Sequence, residues 1–283
     1  MSKARETNRF LGLELAGAKN QKTSLAVLEF YPKEKKIFLL DIFDKIVGHD
    51  CQTGDEAVLE VIQEESSGCV KMGVNVALEL PPCLTCTRKS CPLPSHCTVS
   101  SVKWMREFHQ KTSQNLNPLK EFTPYTQRPV ELWIKNQVLP SLSLPRLLEV
   151  DETLGGNRAP LTARMNFLKR HLQKIPLIEV WPKLTLAVVS NTLGIPQRIF
   201  STYRDLEEGV HSREEILTQL IEKQAIFIYD RDLKKLSQNL TAFDALICAW
   251  TALLSEQNLC ADFPIGFPIK SGWIEYPQWE GPL

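Results

Sequence analysis

FLGLELAG, residues 10–17, is the stretch on which the fold turns. Side chains of a strand alternate between faces, so Gly12, Glu14 and Ala16 share one face while Leu13 and Leu15 share the other. A carboxylate inside so apolar a run is costly unless it is paired, hydrogen-bonded or bound to metal. The small neighbours on its face leave room for a ligand beside Glu14. The plain alternative is a strand with one side in solvent.

Outward from this run, SLAVLEFY (24–31) and KIFLLDIFD (36–44) have the same β character and are separated by Gly, Asn, Lys and Pro. Together the three runs predict an antiparallel meander. TGDEAVLEVIQEES (53–66) places Val58, Leu59 and Ile62 behind an acidic first turn, which predicts an amphipathic helix. GVNVALEL (73–80) reads as the fourth strand, with Asn75, Ala77 and Glu79 on one face. Residues 81–100 are rich in Pro and Cys and read as a loop. Residues 101–175 read as a mostly helical insertion, with the turn signal Gly155-Gly156-Asn157 inside it. Beyond it, PLIEVWP (176–182) reads as a short strand. KLTLAVVSNTL (183–193) and SREEILTQLIEKQAIF (212–227) read as helices, the second opened by a Ser212–Glu215 capping box. LTAFDALICAWTALLSEQ (240–257) is a long apolar helix, and GWIEYP (272–277) suits an edge strand.

Four acids stand alone in apolar surroundings: Glu14, Glu79, Glu179 and Asp244. Thr241 to Asp244 also has the spacing of a capping box, which gives Asp244 a second role compatible with facing the strand ends. Glu179 suits either a ligand or a hydrogen-bond acceptor. Carboxylates that converge can hold Mg²⁺ or Mn²⁺, and two ions about 3.5–4 Å apart clamp both the attacking and the leaving oxygen of a phosphate ester.

Cys83, Cys86, Cys91 and Cys97 follow the spacing C-x2-C-x4-C-x5-C between prolines 81, 82, 92 and 94. Thiolates this close can reach one ion tetrahedrally, which predicts a structural Zn²⁺, with an iron–sulfur cluster as the next reading. His96 offers a substitute ligand, and free loop thiols are the bland alternative. Cys51, Cys69, Cys248 and Cys260 are scattered and suit core packing.

Arg158, Arg164, Lys169, Arg170 and His171 cluster in GNRAPLTARMNFLKRHL, either as a phosphate-facing surface or as a solvated helix face. Lys103, Trp104, Arg106, His109 and Lys111 interleave cations with an aromatic ring, as single-strand binders and ordinary amphipathic helices both do. Arg128, three residues before Glu131, is a substrate arginine or half of a local ion pair. Lys19, in AGAKNQKTS, can meet phosphate from the first hairpin.

With 283 residues, 43% hydrophobic and 23% charged, the sequence suits one soluble domain spanning 1–283. The formal net charge of zero excludes binding nucleic acid by bulk charge, so DNA or RNA as a partner requires a local basic patch. No apolar window approaches the roughly 18 residues of a membrane span, and nothing resembles a signal peptide. Eight cysteines without such a signal predict a cytoplasmic, reducing location.

Taken in order, LGLELAG, VALELPP, LIEVWPKL, FDALICAWTALL and GWIEYP resemble the domain of unknown function 429 family, predicted nucleases with a ribonuclease H-like fold. The resemblance covers most of the chain. It implies an α/β fold with a mixed five-stranded sheet, an antiparallel meander followed by parallel strands, flanked by helices. It places the site acids at Glu14, Glu79 and Asp244, with Glu179 added. Such enzymes generally carry Asp where this chain has Glu14. The activity implied is divalent-metal-dependent hydrolysis of nucleic-acid phosphodiesters; on that function the chain's own basic residues Lys19, Arg128 and Arg164 are the candidates to meet phosphate. Two other classes stay open. One is a nucleotide-binding or phosphotransfer protein with an actin or sugar-kinase core; the other is a non-catalytic module whose zinc loop binds a partner.

Overall fold

β1 (Asn8–Glu14), β2 (Ser24–Tyr31) and β3 (Lys36–Phe43) form the expected antiparallel meander. Gly12 pairs with Ala26 and Glu14 with Ser24. The computed structural model describes residues 8–17, 23–112, 122–142, 148–224 and 226–278. α1 (Gly54–Glu65) starts at Thr53, which caps Glu56 N–H while the Glu56 carboxylate accepts from Thr53 N–H. β4 (Cys69–Val74) then returns parallel to β1, with Gly12 level with Gly73.

After β4 the chain leaves the sheet. A 3₁₀ turn (Pro94–His96), α2 (Ser100–Thr112), α3 (Pro129–Trp133), a π turn (Ile134–Val138), α4 (Leu139–Ser141) and α5 (Arg158–Leu168) follow. β5 (Leu177–Val180) rejoins the sheet parallel to β4, with Glu179 level with Val74. α6 (Pro182–Leu193) ends on Gly194 at φ +64°, a left-handed cap that favours glycine. α7 (Gln197–Thr202), α8 (Gly209–Gln224), β6 (Ile226–Phe227), α9 (Asp230–Gln238), α10 (Leu240–Glu256) and β7 (Ile274–Glu275) complete the order.

The result is a mixed seven-stranded sheet, β6-β3-β2-β1-β4-β5-β7, flanked by helices. The meander, the fourth strand and PLIEVWP lie together as five neighbouring strands, GWIEYP supplies the expected edge strand as β7, and β6 extends the opposite edge. The fourth strand is earlier than expected. It ends at Val74, so Glu79 lies beyond the sheet and not on it. SREEILTQLIEKQAIF divides: its helix begins at Gly209 rather than at Ser212 and stops at Gln224, and Ile226–Phe227 pairs with the start of β3.

The chain divides into two compact units. One comprises Met1–Asn75, Phe167–Ala261 and Glu275–Leu283; the other comprises Val76–Asn166 and Asp262–Ile274. In the first, α10 lies on β1, β2 and β4 and is buried from Ala242 to Leu254. Its backbone rests on two glycines. A Cβ at Gly12 would stand 2.0 Å from the Ala245 carbonyl oxygen, and one at Gly73 would stand 2.3 Å from that of Cys248. The other sheet face carries Leu11, Leu13, Met72 and Val74, all buried. In the second unit a smaller core gathers Cys97, Val102, Met105, Phe122 and Leu132. No helix among the described residues is long and apolar enough to cross a membrane.

Candidate functional site

Gly12 faces α10, so Glu14, two residues on, points to the same side at the carboxyl end of β1. Gly73 faces α10 as well, and Asn75, just past β4, lies on that side too. Asn75 Nδ2 donates to Glu14 Oε2 at 2.6 Å, and its backbone N–H donates to Leu13 O. Ser24, the β2 partner of Glu14, lies 2.8 Å from the Thr241 hydroxyl at the start of α10. Asn239 caps that helix, accepting from Thr241 and Ala242 N–H, and its amide donates to Asp44 O. The first turn of α10 is thereby tied to the ends of β2 and β3. Asp244, one turn in, is directed at the same corner. The cap belongs to Asn239, so Asp244 is not the capping residue.

Asp244 is 1% exposed, and Arg204 Nη1 donates to its Oδ2 at 2.6 Å. The Arg204 side chain is 40% exposed. Burial is the largest influence and works against the Arg204 charge, but Asp244 and Tyr203 together outweigh it, and the guanidinium is held more firmly protonated than usual. Tyr203 is buried beside the pair. Burial first, then Asp244, with a further push from Glu14, raise its phenol far above the ordinary value. Glu14 is paired with Ser24, and the Ser24–Thr241 bond brings the first turn of α10, which carries Asp244, to that same corner. Neither Tyr203 nor Arg204 stood out in the sequence, because STYRDLEEG has no period to read.

Arg204 also lines a cavity of about 1010 Å³ with Lys45, Arg213, Arg231, Lys234 and Lys235, against Asp44 and Asp205. Arg213 is buried and donates to Ser237 O and Tyr203 O, which fixes the floor. Burial lowers its pKa. The zero net charge of the whole chain thus conceals a local cationic surface.

The remaining candidates are distributed differently. Val180 touches the space above Gly73 on the α10 side. Its neighbour Glu179, buried and level with Val74, therefore projects from the opposite face of the sheet. That separates Glu179 from Glu14 and Asp244. Glu79 lies in the second unit, where its methylenes and Arg128 Nη1 both crowd Gly272, at φ +88°. Arg128 is 1% exposed, and its backbone N–H and Nε both donate to Glu131, which also accepts from the Thr153 hydroxyl. It pins the start of α3, so the local ion pair, not the substrate arginine, is the reading that fits. Arg164 is buried within α5, and that helix ends at Leu168, before His171. Lys19 lies outside the described residues.

In the second unit, Cys83, Cys86, Cys91 and Cys97 line one cavity of about 190 Å³. Burial raises the Cys83 thiol, and the Cys97, Cys91 and Cys86 sulfurs raise it further. His96 is exposed and does not line the cavity. Among the described residues no three or more His, Cys, Asp or Glu side chains form a ready-made metal set. Away from this loop, burial pushes the Cys69 thiol up to about 11.

Compared with known proteins, the chain matches no family model, no curated protein and no solved structure.

Proposed function

We propose that this chain is a ribonuclease H-like phosphodiesterase acting on DNA or RNA, with its working end at the corner of Glu14, Asp244 and Arg204. The observation that carries the reading is that Glu14, at the carboxyl end of β1, and Asp244, in the first turns of α10, stand at one corner, where Ser24 beside Glu14 bonds to Thr241 of α10. An antiparallel meander continued by parallel β4 and β5 is the sheet that the family resemblance implies.

Two carboxylates suit one hard divalent ion, because Mg²⁺ commonly takes one or two carboxylates and fills its octahedron with water and phosphate oxygen. They do not suit a two-ion clamp, since Glu179 faces away. When bound, Mg²⁺ or Mn²⁺ supplies polarisation of the phosphate and a more acidic water. Glu14 and Asp244 would hold it. The chain's own residues set the rest. Asn75 orients Glu14 by its amide. Arg204 screens Asp244 in the free protein and is exposed enough to turn toward a phosphate oxygen. Lys45, Arg231 and Lys234, along the same cavity, offer cations to the next phosphates of a strand.

Purified protein incubated with Mn²⁺ or Mg²⁺ should cleave single- or double-stranded DNA or RNA. Glu14→Gln and Asp244→Asn should each reduce cleavage by at least about a hundredfold. Undiminished cleavage in both variants, or no cleavage of any of these substrates with either metal, would remove the reading.

A further inference from the structure

The cysteine loop has no part in that chemistry, and its construction points elsewhere. Residues 83–98 contain one 3₁₀ turn and no other regular element. Leu84 and Leu93 are 54% and 65% exposed, so the loop buries little apolar surface to hold itself together. A segment of this size without a core needs a staple. Its two ends are already fixed. Cys97 belongs to the small core with Val102 and Met105, and Cys83 packs against that core while its N–H donates to Pro124 O. Arg106 of α2 holds the returning end of the loop through the carbonyls of Pro94 and Cys97, both at 2.9 Å. Cys86 and Cys91 are exposed on the part between, yet all four cysteines line one cavity.

We propose that residues 83–97 close around one structural Zn²⁺ ion held by Cys83, Cys86, Cys91 and Cys97. Two ligands are set by the core, and two are carried inward by the loop on binding. That division explains why no ligating set stands complete beforehand, since such sites commonly form with their metal. Zn²⁺ is favoured over a hard ion because every donor is sulfur. Four thiolates on one Zn²⁺ leave excess negative charge, and Arg88, lining the same cavity, opposes it. Arg88 is held there by its bond to the Thr98 hydroxyl at 2.7 Å.

The test uses the full chain purified under reducing conditions without chelator. It should retain about one zinc per chain after dialysis, remain colourless, and release the metal when a mercurial blocks its thiols. Cys86→Ser and Cys91→Ser, both at exposed positions, should each lower retained zinc at least about tenfold. Cys51→Ser, exposed but outside the loop, should leave it unchanged. Co²⁺ taken up in place of zinc should show thiolate-to-metal absorption that both loop variants lose. A chain that holds no zinc, that instead carries iron with acid-labile sulfide and visible bands, or that keeps its zinc in both variants would overturn the proposal. Nuclease activity enters none of these measurements, so they stand or fall apart from the phosphodiesterase reading.

Discussion

The two polar clusters of this chain are held by opposite means. At the sheet corner the backbone does the placing. Gly12 and Gly73 let α10 settle directly on β1 and β4, and that contact decides where Asp244 stands relative to the carboxyl end of β1. In the second unit side chains do the placing. Arg128 and Glu131 fasten α3 to Thr153, and Arg106 fastens the cysteine loop to α2. A site fixed by main chain is insensitive to neighbouring side chains but fails outright when helix and sheet cannot touch. A site fixed by side chains fails by degrees, one partner at a time.

Gly12→Val gives the sharpest break. Even the first carbon of a side chain would meet Ala245 O at 2.0 Å and Ala249 N at 2.3 Å, and both are backbone atoms of a buried helix. The helix must lift, which opens the core on both sides of it. The expected loss is on the order of 4 kcal/mol or more, seen as insoluble protein or a collapsed urea midpoint. A soluble variant within about 1 kcal/mol of the parent would show that α10 does not rest on the β1 backbone.

Arg128→Ala probes the other style. Its guanidinium is buried, and removal leaves Glu131, 4% exposed, without that cation. Breaking such a pair from one side costs about 3–5 kcal/mol. Lysine should restore only part of this, because it keeps the charge but has no planar guanidinium to repeat the Nε–H bond to Glu131. Trp104 and Trp133, in the same unit, give a fluorescence readout of its unfolding under urea. Full stability in Arg128→Ala would mean that Glu131 is satisfied by other groups, and the contrast with the sheet corner would weaken.

The same contrast explains what the sequence disclosed. Period two put Glu14 on the face of Gly12 and Ala16, and backbone packing made that face the one beneath α10. Alternation could not show where the ladder of β4 ends. VNVALEL keeps its pattern past Val74, but Asn75 turns its amide to Glu14 and the chain leaves the sheet, carrying Glu79 with it. The face of Glu179 depends on its register with Val74, which no local pattern encodes. Thr241 to Asp244 imitates a capping box, while Asn239 does the capping with the free N–H groups two and three residues on. Arg204 and Tyr203 sit in an aperiodic turn and become visible only through the partner they share. The gathering of four thiols about one cavity was legible because they lie close in sequence; that Cys86 and Cys91 stand exposed while Cys97 is buried is not written in spacing.

Thr53→Ala produces the smallest effect and tests whether local capping in the sheet unit behaves independently of both clusters. Thr53 Oγ1 accepts from Glu56 N–H at 3.2 Å, and the Glu56 carboxylate accepts in return from Thr53 N–H at 2.7 Å and from its hydroxyl. Losing the cap should cost about 1 kcal/mol at neutral pH. The pH dependence has a definite sign. The Thr53 N–H, and after it the hydroxyl, hold the Glu56 carboxyl below its ordinary value of 4.5. The folded chain therefore binds that proton more weakly than the unfolded chain. The contribution is complete above 4.5 and fades as the pH falls through the folded value. Urea midpoints of parent and Thr53→Ala should draw closer over that acid range. Because the variant keeps the backbone N–H, a gap that stays constant from neutral pH to below the folded value would mean that the bond from the Thr53 hydroxyl to the Glu56 carboxylate adds nothing to α1.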